Sequence, residues 1–207
     1  VLSDVVLAIR QFKPDIIINR FDHRTPGTTH GHHTTSAMLS VEAFDLAKNP
    51  NIYPEQAKTY GTWQPKRQFF NTSWWFYGSQ ENFEKADKSK LLNFDIGVYY
   101  PSKGLSNNEI AALSRSKHLC QGFGALTQRG SQTEYVELLK GDLPKDKSNI
   151  FDGIDTSWNR VKNGNFIYSI LNKVETEFNF QNPAAHLSEL MSARELIQTL
   201  DNEHWKT

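Results

Sequence analysis

Three consecutive isoleucines, Ile16-Ile17-Ile18, set between Asp15 and Asn19, constrain this chain more than any other feature. β-Branched side chains are stiff at χ1 and pack well on a pleated surface. The run is too short for a helix and unbroken by polar residues, so it predicts a strand buried on both faces, as in a parallel sheet. Upstream, Val5, Val6, Ile9 and Phe12 recur at helical spacing and predict a helix over 3–13. Lys13-Pro14 ends it, because a residue before proline disfavours the α region. Downstream, residues 20–32 are polar and rich in Gly, Thr and His, hence a loop. Residues 33–48 predict a second helix, with Ala37, Val41 and Phe44 on one face and Ala43, Leu46 and Ala47 beside it. Helix, strand, loop and helix make an α/β unit. The loop leaves the carboxyl end of the strand, where open α/β sheets bind their ligands.

Further along, residues 49–66 hold three of the eight prolines and read as irregular. Gln68–Asn71 reads as a short strand, and 82–90 as a charged, exposed stretch. Phe94, Ile96, Val98 and Tyr100 alternate as in a strand. Ser106 and Glu109 form a capping box that opens a helix carrying Ile110, Leu113 and Lys117. Glu134–Leu139 is a further strand candidate. Beyond about residue 150 the pattern turns helical, with Ile167, Ile170, Leu171, Val174 and Phe178 in one segment and Leu187, Leu190, Met191, Ile197 and Leu200 in another.

Charge and cysteine content remove several function classes. Basic and acidic residues number 23 each, so no basic excess invites nucleic acid. One cysteine, Cys120, cannot form an intrachain disulfide. No apolar run approaches the roughly 18 residues of a membrane span, and the first ten residues lack a basic n-region or cleavage site. The chain reads as soluble. No Gly-x-Gly-x-x-Gly and no phosphate-binding loop is present. The chain opens directly into an apolar-periodic segment without Met, as if cut from a longer protein.

Four of the seven histidines fall within eleven residues: His23, His30, His32 and His33. The densest part, His30-Gly31-His32-His33, sits where loop becomes helix. Imidazole is a common zinc ligand and needs only a free lone pair. A ligand on the first helical turn is held firmly. Adjacent side chains diverge, so the three together do not suit one tetrahedral ion. The alternative is a polar helix start facing solvent, and both readings stand on residue type and spacing alone.

This segment resembles the second active-site motif of the zinc-dependent GlcNAc-phosphatidylinositol de-N-acetylase (PIG-L/LmbE) family, which reads His-Pro-Asp-His with Glu-Ala nine residues on. Here His30-Gly31-His32-His33 is followed at that distance by Glu42-Ala43. Pro14-Asp15-Ile16-Ile17-Ile18 is similar to the family's Pro-Asp-Val-Val strand. Lys117-His118-Leu119-Cys120-Gln121 is similar to its His-x-Ser-Gln helix, with Cys120 in the serine place. Together with the segments 61–73 and 151–158, these motifs resemble a long bacterial branch and span most of residues 3–160.

The resemblance implies an α/β fold: a partial Rossmann-like, mostly parallel sheet with flanking helices over 1–150, then a helical C-terminal extension over 151–207. It implies a metal-ligand role for His33 and a role for His30 in polarising the substrate carbonyl and its oxyanion. His32 stands in the family's aspartate position, and Thr28-Thr29 replace Tyr-Gly. The family's Ala-His-Pro-Asp-Asp-Glu motif, which carries the other ligands and the general base, occurs nowhere in this chain. The chain is therefore expected to be part of an amide hydrolase acting on an N-acetylated amino sugar, with an incomplete zinc site and no activity alone. A sheet without its first strand is expected to self-associate through an exposed edge.

Other residues carry two readings each. Arg20, at the strand end, could hold an anionic substrate group or pair with Asp22 or Asp15. His118 and Gln121 could reach the active-site loop or satisfy buried backbone. The run Trp74-Trp75-Phe76-Tyr77 favours core packing, with sugar stacking as the alternative. A non-catalytic module binding carbohydrate or protein through that aromatic segment is the competing function.

Overall fold

A computed structural model of the chain describes residues 1–121, 127 and 129–200. The chain divides into two compact units, the first Val1–Asp152 and the second from Gly153 onward. The first holds a mixed sheet with helices; the second is helical.

Helix α1 spans Leu2–Phe12 and ends with Lys13 in the left-handed region, φ 51°. Val6 and Ile9 are buried, but Phe12, expected on the same stripe, is 74% exposed in the last turn. Strand β1 is Ile16–Asn19. Helix α2 runs Gly31–Leu46, two residues longer at its start than its apolar pattern predicts. Helix α3, Pro54–Tyr60, occupies a stretch expected to be irregular. Its proline sits in the first turn, where a missing N–H costs nothing and the fixed φ suits the helix. Strand β2, Arg67–Thr72, pairs parallel with β1 and completes a β–α–β unit.

The remainder of the sheet is antiparallel. Helix α4 is Gln80–Lys85, and strand β3 is Leu91–Asp95. Strand β4, Tyr99–Tyr100, pairs with β5, Leu105–Ser106, in a separate two-stranded ribbon. The alternation from Phe94 to Tyr100 is thus split between two sheets at Gly97, where a Cβ would lie 1.9 Å from the Gly130 carbonyl oxygen. Helix α5, Asn107–Arg115, opens with the expected capping box of Ser106 and Glu109. Strand β6, Thr133–Gly141, pairs antiparallel with both β2 and β3, giving the order β1-β2-β6-β3. Parallel character is confined to β1–β2, and β1 is an edge strand with Ile18 48% exposed, where its composition predicted burial on both faces.

The pleat sorts the sheet into two faces. Ile17, beside Asn19 and Gln68, packs toward α1 and α2 with Val6, Ile9, Ala43 and Ala47. On the opposite face Phe69, Leu92 and Val136 form a second core, capped by Leu143 and Ile150. In the second unit, α6 (Gly164–Glu177) and α7 (Leu187–Gln198) enclose Val161, Ile167 and Leu200. Among the described residues, no helix is long and apolar enough to cross a membrane.

Candidate functional site: histidines at a strand end

Asn19 ends β1 and His30 is the N-cap of α2, so the loop between them sits at the carboxyl end of the parallel pair. His30 offers no side-chain cap, which leaves its ring free of the helix's own amides. His32 and His33 occupy the first helical turn. The ring centroids of His32 and His33 lie 4.1 Å apart, His30 and His33 5.4 Å, and His30 and His32 5.6 Å. His33 also stacks on Phe21, 4.0 Å between centroids and with the ring planes nearly parallel. Its Nδ1 is buried without a hydrogen-bond partner. Burial, then the neighbouring imidazoles of His32 and His33's other neighbour His30, lower the His33 pKa below the ordinary histidine value. The shift favours the neutral ring, which has a lone pair to offer.

A cavity of about 210 Å³ opens beside this ring. Ile18, Asn19 and Arg20 from the strand end line it, with His33, Ser36 and Ala37 from α2. Three of the residues singled out by sequence (His30, His32 and His33) thus come together, and Arg20 borders the cavity that His33 borders. Arg20 donates to Asn71 Oδ1 at 2.9 Å, across the β1–β2 junction. His118 lies exposed after α5, immediately before a single 3-10 turn, Leu119–Gln121, rather than on a continuous helix. The side chain of Gln121 lies outside the described residues.

Sequence reasoning missed two supports of this loop. Arg24 is clamped by Asp22, Nε to Oδ1 at 2.8 Å, and by Glu137 through Nη1 at 2.8 Å and Nη2 at 2.6 Å. The fork ties the loop to central strand β6, and the bonds to Glu137, then Asp22, raise the Arg24 pKa. Beneath the loop, Asn19 Oδ1 accepts from Ser40 Oγ at 2.8 Å, and Gln68 Nε2 donates to Ser40 Oγ at 2.8 Å. Asn19 is only 7% exposed. A buried polar group needs partners, and here they pin α2 to the sheet one to two turns beyond His33. The only sequence signal for this network was a polar Asn closing an apolar strand.

As to metal, imidazole chemistry and the unpartnered His33 nitrogen fit a ligand role. Among the described residues, however, no group of three His, Cys, Asp or Glu side chains forms a metal-holding set. The aromatic run is divided: Phe76 packs on Phe70 at 4.7 Å and Tyr77 on Phe83 at 5.1 Å, while Trp74 and Trp75 are each 50% exposed. No protein-family model, no curated protein and no solved structure matches this chain.

Proposed function

We propose that this chain is the histidine-bearing part of a zinc-dependent N-deacetylase that hydrolyses the acetamide of an N-acetylated amino sugar, built on a Rossmann-like sheet. The observation that supports it best is His33: a neutral-leaning imidazole on the first turn of α2, at the carboxyl end of a parallel strand, with a buried nitrogen that nothing else engages. His33 serves as one ligand, and the remaining ligands and the general base come from outside this chain. Zinc, when bound in such a site, acidifies a water and stabilises a developing oxyanion. His30, uncommitted to the helix amides, donates a ring N–H toward the carbonyl oxygen of the acetamide. His32 flanks His33 and helps hold its ring edge-on. Arg20 rims the adjoining cavity, where it meets the rest of the substrate.

Calorimetric zinc titration of the chain and of His33→Ala tests the ligand assignment. Weak binding, lost in the variant, is expected of a partial site; identical heats for both proteins would exclude His33 as a ligand. In a complete protein containing this chain, His30→Ala should lower the rate of acetate release by on the order of 10²-fold. An unchanged rate would remove His30 from the reaction.

The half-exposed Trp74 and Trp75 favour a second reading, a non-catalytic carbohydrate-binding module, since indole faces stack on sugar rings.

A further inference from the structure

A second cavity, of about 350 Å³, lies on the sheet face turned away from α2. Alternation along the strands builds it. Ile18, Phe94, Ile96 and Val136 supply an apolar floor, and Arg20, Asn71 and Glu134 supply a polar rim. The register explains the convergence: Asn71 is paired with Val136 and Phe94 with Glu134, so floor and rim share one face.

The rim is ordered. Arg20 Nη1 donates to Asn71 Oδ1 at 2.9 Å, and Asn71 Nδ2 donates to Glu134 Oε2 at 2.7 Å. The amide of Asn71 is thereby held from both sides. It keeps a cation and an anion within about 8 Å of each other without letting them pair, the span being two hydrogen bonds and one amide width. Among the described residues, Arg20 has no carboxylate partner and Glu134 no cationic one. Arg24, by contrast, is saturated by two carboxylates.

Two opposite charges at fixed separation over an apolar floor select their ligand by charge and shape. A simple anion gains Arg20 but meets Glu134. A simple cation gains Glu134 but meets Arg20. A neutral sugar would leave both charges uncompensated and face hydrocarbon. We propose that this cleft binds an apolar α-amino acid, with its carboxylate on the Arg20 guanidinium, its ammonium on Glu134, and its side chain on Ile18, Phe94, Ile96 and Val136. The volume falls in the range of small-molecule sites, and an apolar cleft with a few convergent polar groups is the usual form of one. Ile18 and Arg20 border both cavities, but no histidine lines this cleft, so amino-acid binding here is tested separately from the hydrolase reading.

Heteronuclear NMR titration of the full chain with L-leucine and L-phenylalanine tests it. Both should bind saturably, with shifts centred on Ile18 and Ile96. N-acetyl-L-leucine, which lacks the ammonium, isopentylamine, which lacks the carboxylate, and L-serine, which lacks the apolar side chain, should each bind at least tenfold more weakly. Arg20→Gln and Glu134→Gln should each weaken leucine at least tenfold. No saturable binding of leucine or phenylalanine up to their solubility would overturn the proposal. So would equal binding of N-acetyl-L-leucine, shifts centred elsewhere, or a folded Arg20→Gln protein that binds leucine like the parent. The ligand comparison uses the unaltered chain, so it decides the matter even if a variant fails to fold.

Discussion

Arg10 is the most deeply buried charge in the first unit, with no exposed surface. All five guanidinium N–H groups are used: Nε donates to the Ala47 carbonyl, Nη1 to the Tyr53 carbonyl and Gln56 Oε1, and Nη2 to the carbonyls of Asn49 and Ile52. Burial lowers its pKa, yet a guanidinium stays charged at neutral pH. The side chain thus satisfies the backbone of the α2–α3 connection from inside the fold. Arg10→Met preserves length but strands these acceptors, and we expect it to lower the unfolding free energy by about 3 kcal/mol or more, read from the urea midpoint. A loss under about 1 kcal/mol would mean that water replaces the guanidinium. Asp22 supplies a pH test. Burial works to raise its pKa, but the bonds from Arg24 prevail and lower it. A carboxylate held below its unfolded pKa of about 3.9 adds stability that is present above that pH and is lost as pH falls through the folded value. The Asp22→Asn protein should therefore melt at a lower temperature than the parent at pH 7. The two melting temperatures should converge below about pH 4; a constant gap down to pH 2 would argue against the Arg24 pairing as the cause.

At the scale of elements, α2 is the piece on which the candidate site depends. Its N-terminal turn carries the histidines, and its body is fastened by Ala43 and Ala47 against α1 and by Ser40 against Asn19 and Gln68. The two extra residues at its start were hidden because Gly31 and His32 continue no apolar stripe, and helix ends are set by tertiary packing more than by propensity. The aromatic segment after β2 is the other element with an open question. β1 and β2 are parallel, so this segment leaves the sheet at the same end as the histidine loop. If it stacks on sugars, adding chito-oligosaccharide should quench tryptophan fluorescence saturably, and Trp74→Ala with Trp75→Ala should abolish the quenching. Quenching that never saturates would assign both indoles to ordinary surface.

For the molecule as a whole, the outer flank of β1 is the feature with the widest consequence. It pairs only with β2 among the described residues, and Ile18 stands half exposed beside that flank. Unpaired edges offer N–H and C=O groups to another strand. Concentration-dependent self-association is the expected behaviour, visible by size-exclusion chromatography with light scattering, and Ile18→Lys should reduce it by placing a charge at the edge. A stable monomer across the concentration range would show that the short edge, only four residues, is too small to template pairing.

The sequence alone determined the helix–strand–loop–helix start, the capping box of α5, the strand at Glu134–Leu139 and the helical character beyond residue 150. These depend on local signals: β-branched runs, side-chain capping and 3.6-residue periodicity. It also placed His30, His32 and His33 at one helix start, but not their ring geometry: adjacent side chains were expected to diverge, whereas the His32 and His33 rings lie 4.1 Å apart. What only the tertiary structure decided depends on partners far apart along the chain. The antiparallel insertion of β6 between β2 and β3 confined parallel pairing to β1 and β2, and no residue of β1 encodes who lies beside its neighbour. The join of Arg24 to Glu137 spans 113 residues, and that of Arg20 through Asn71 to Glu134 crosses three segments. Hydrogen bonds of such separation form only once the sheet has set the register, which is why the loop's anchor and the charged rim of the second cleft were invisible in the sequence.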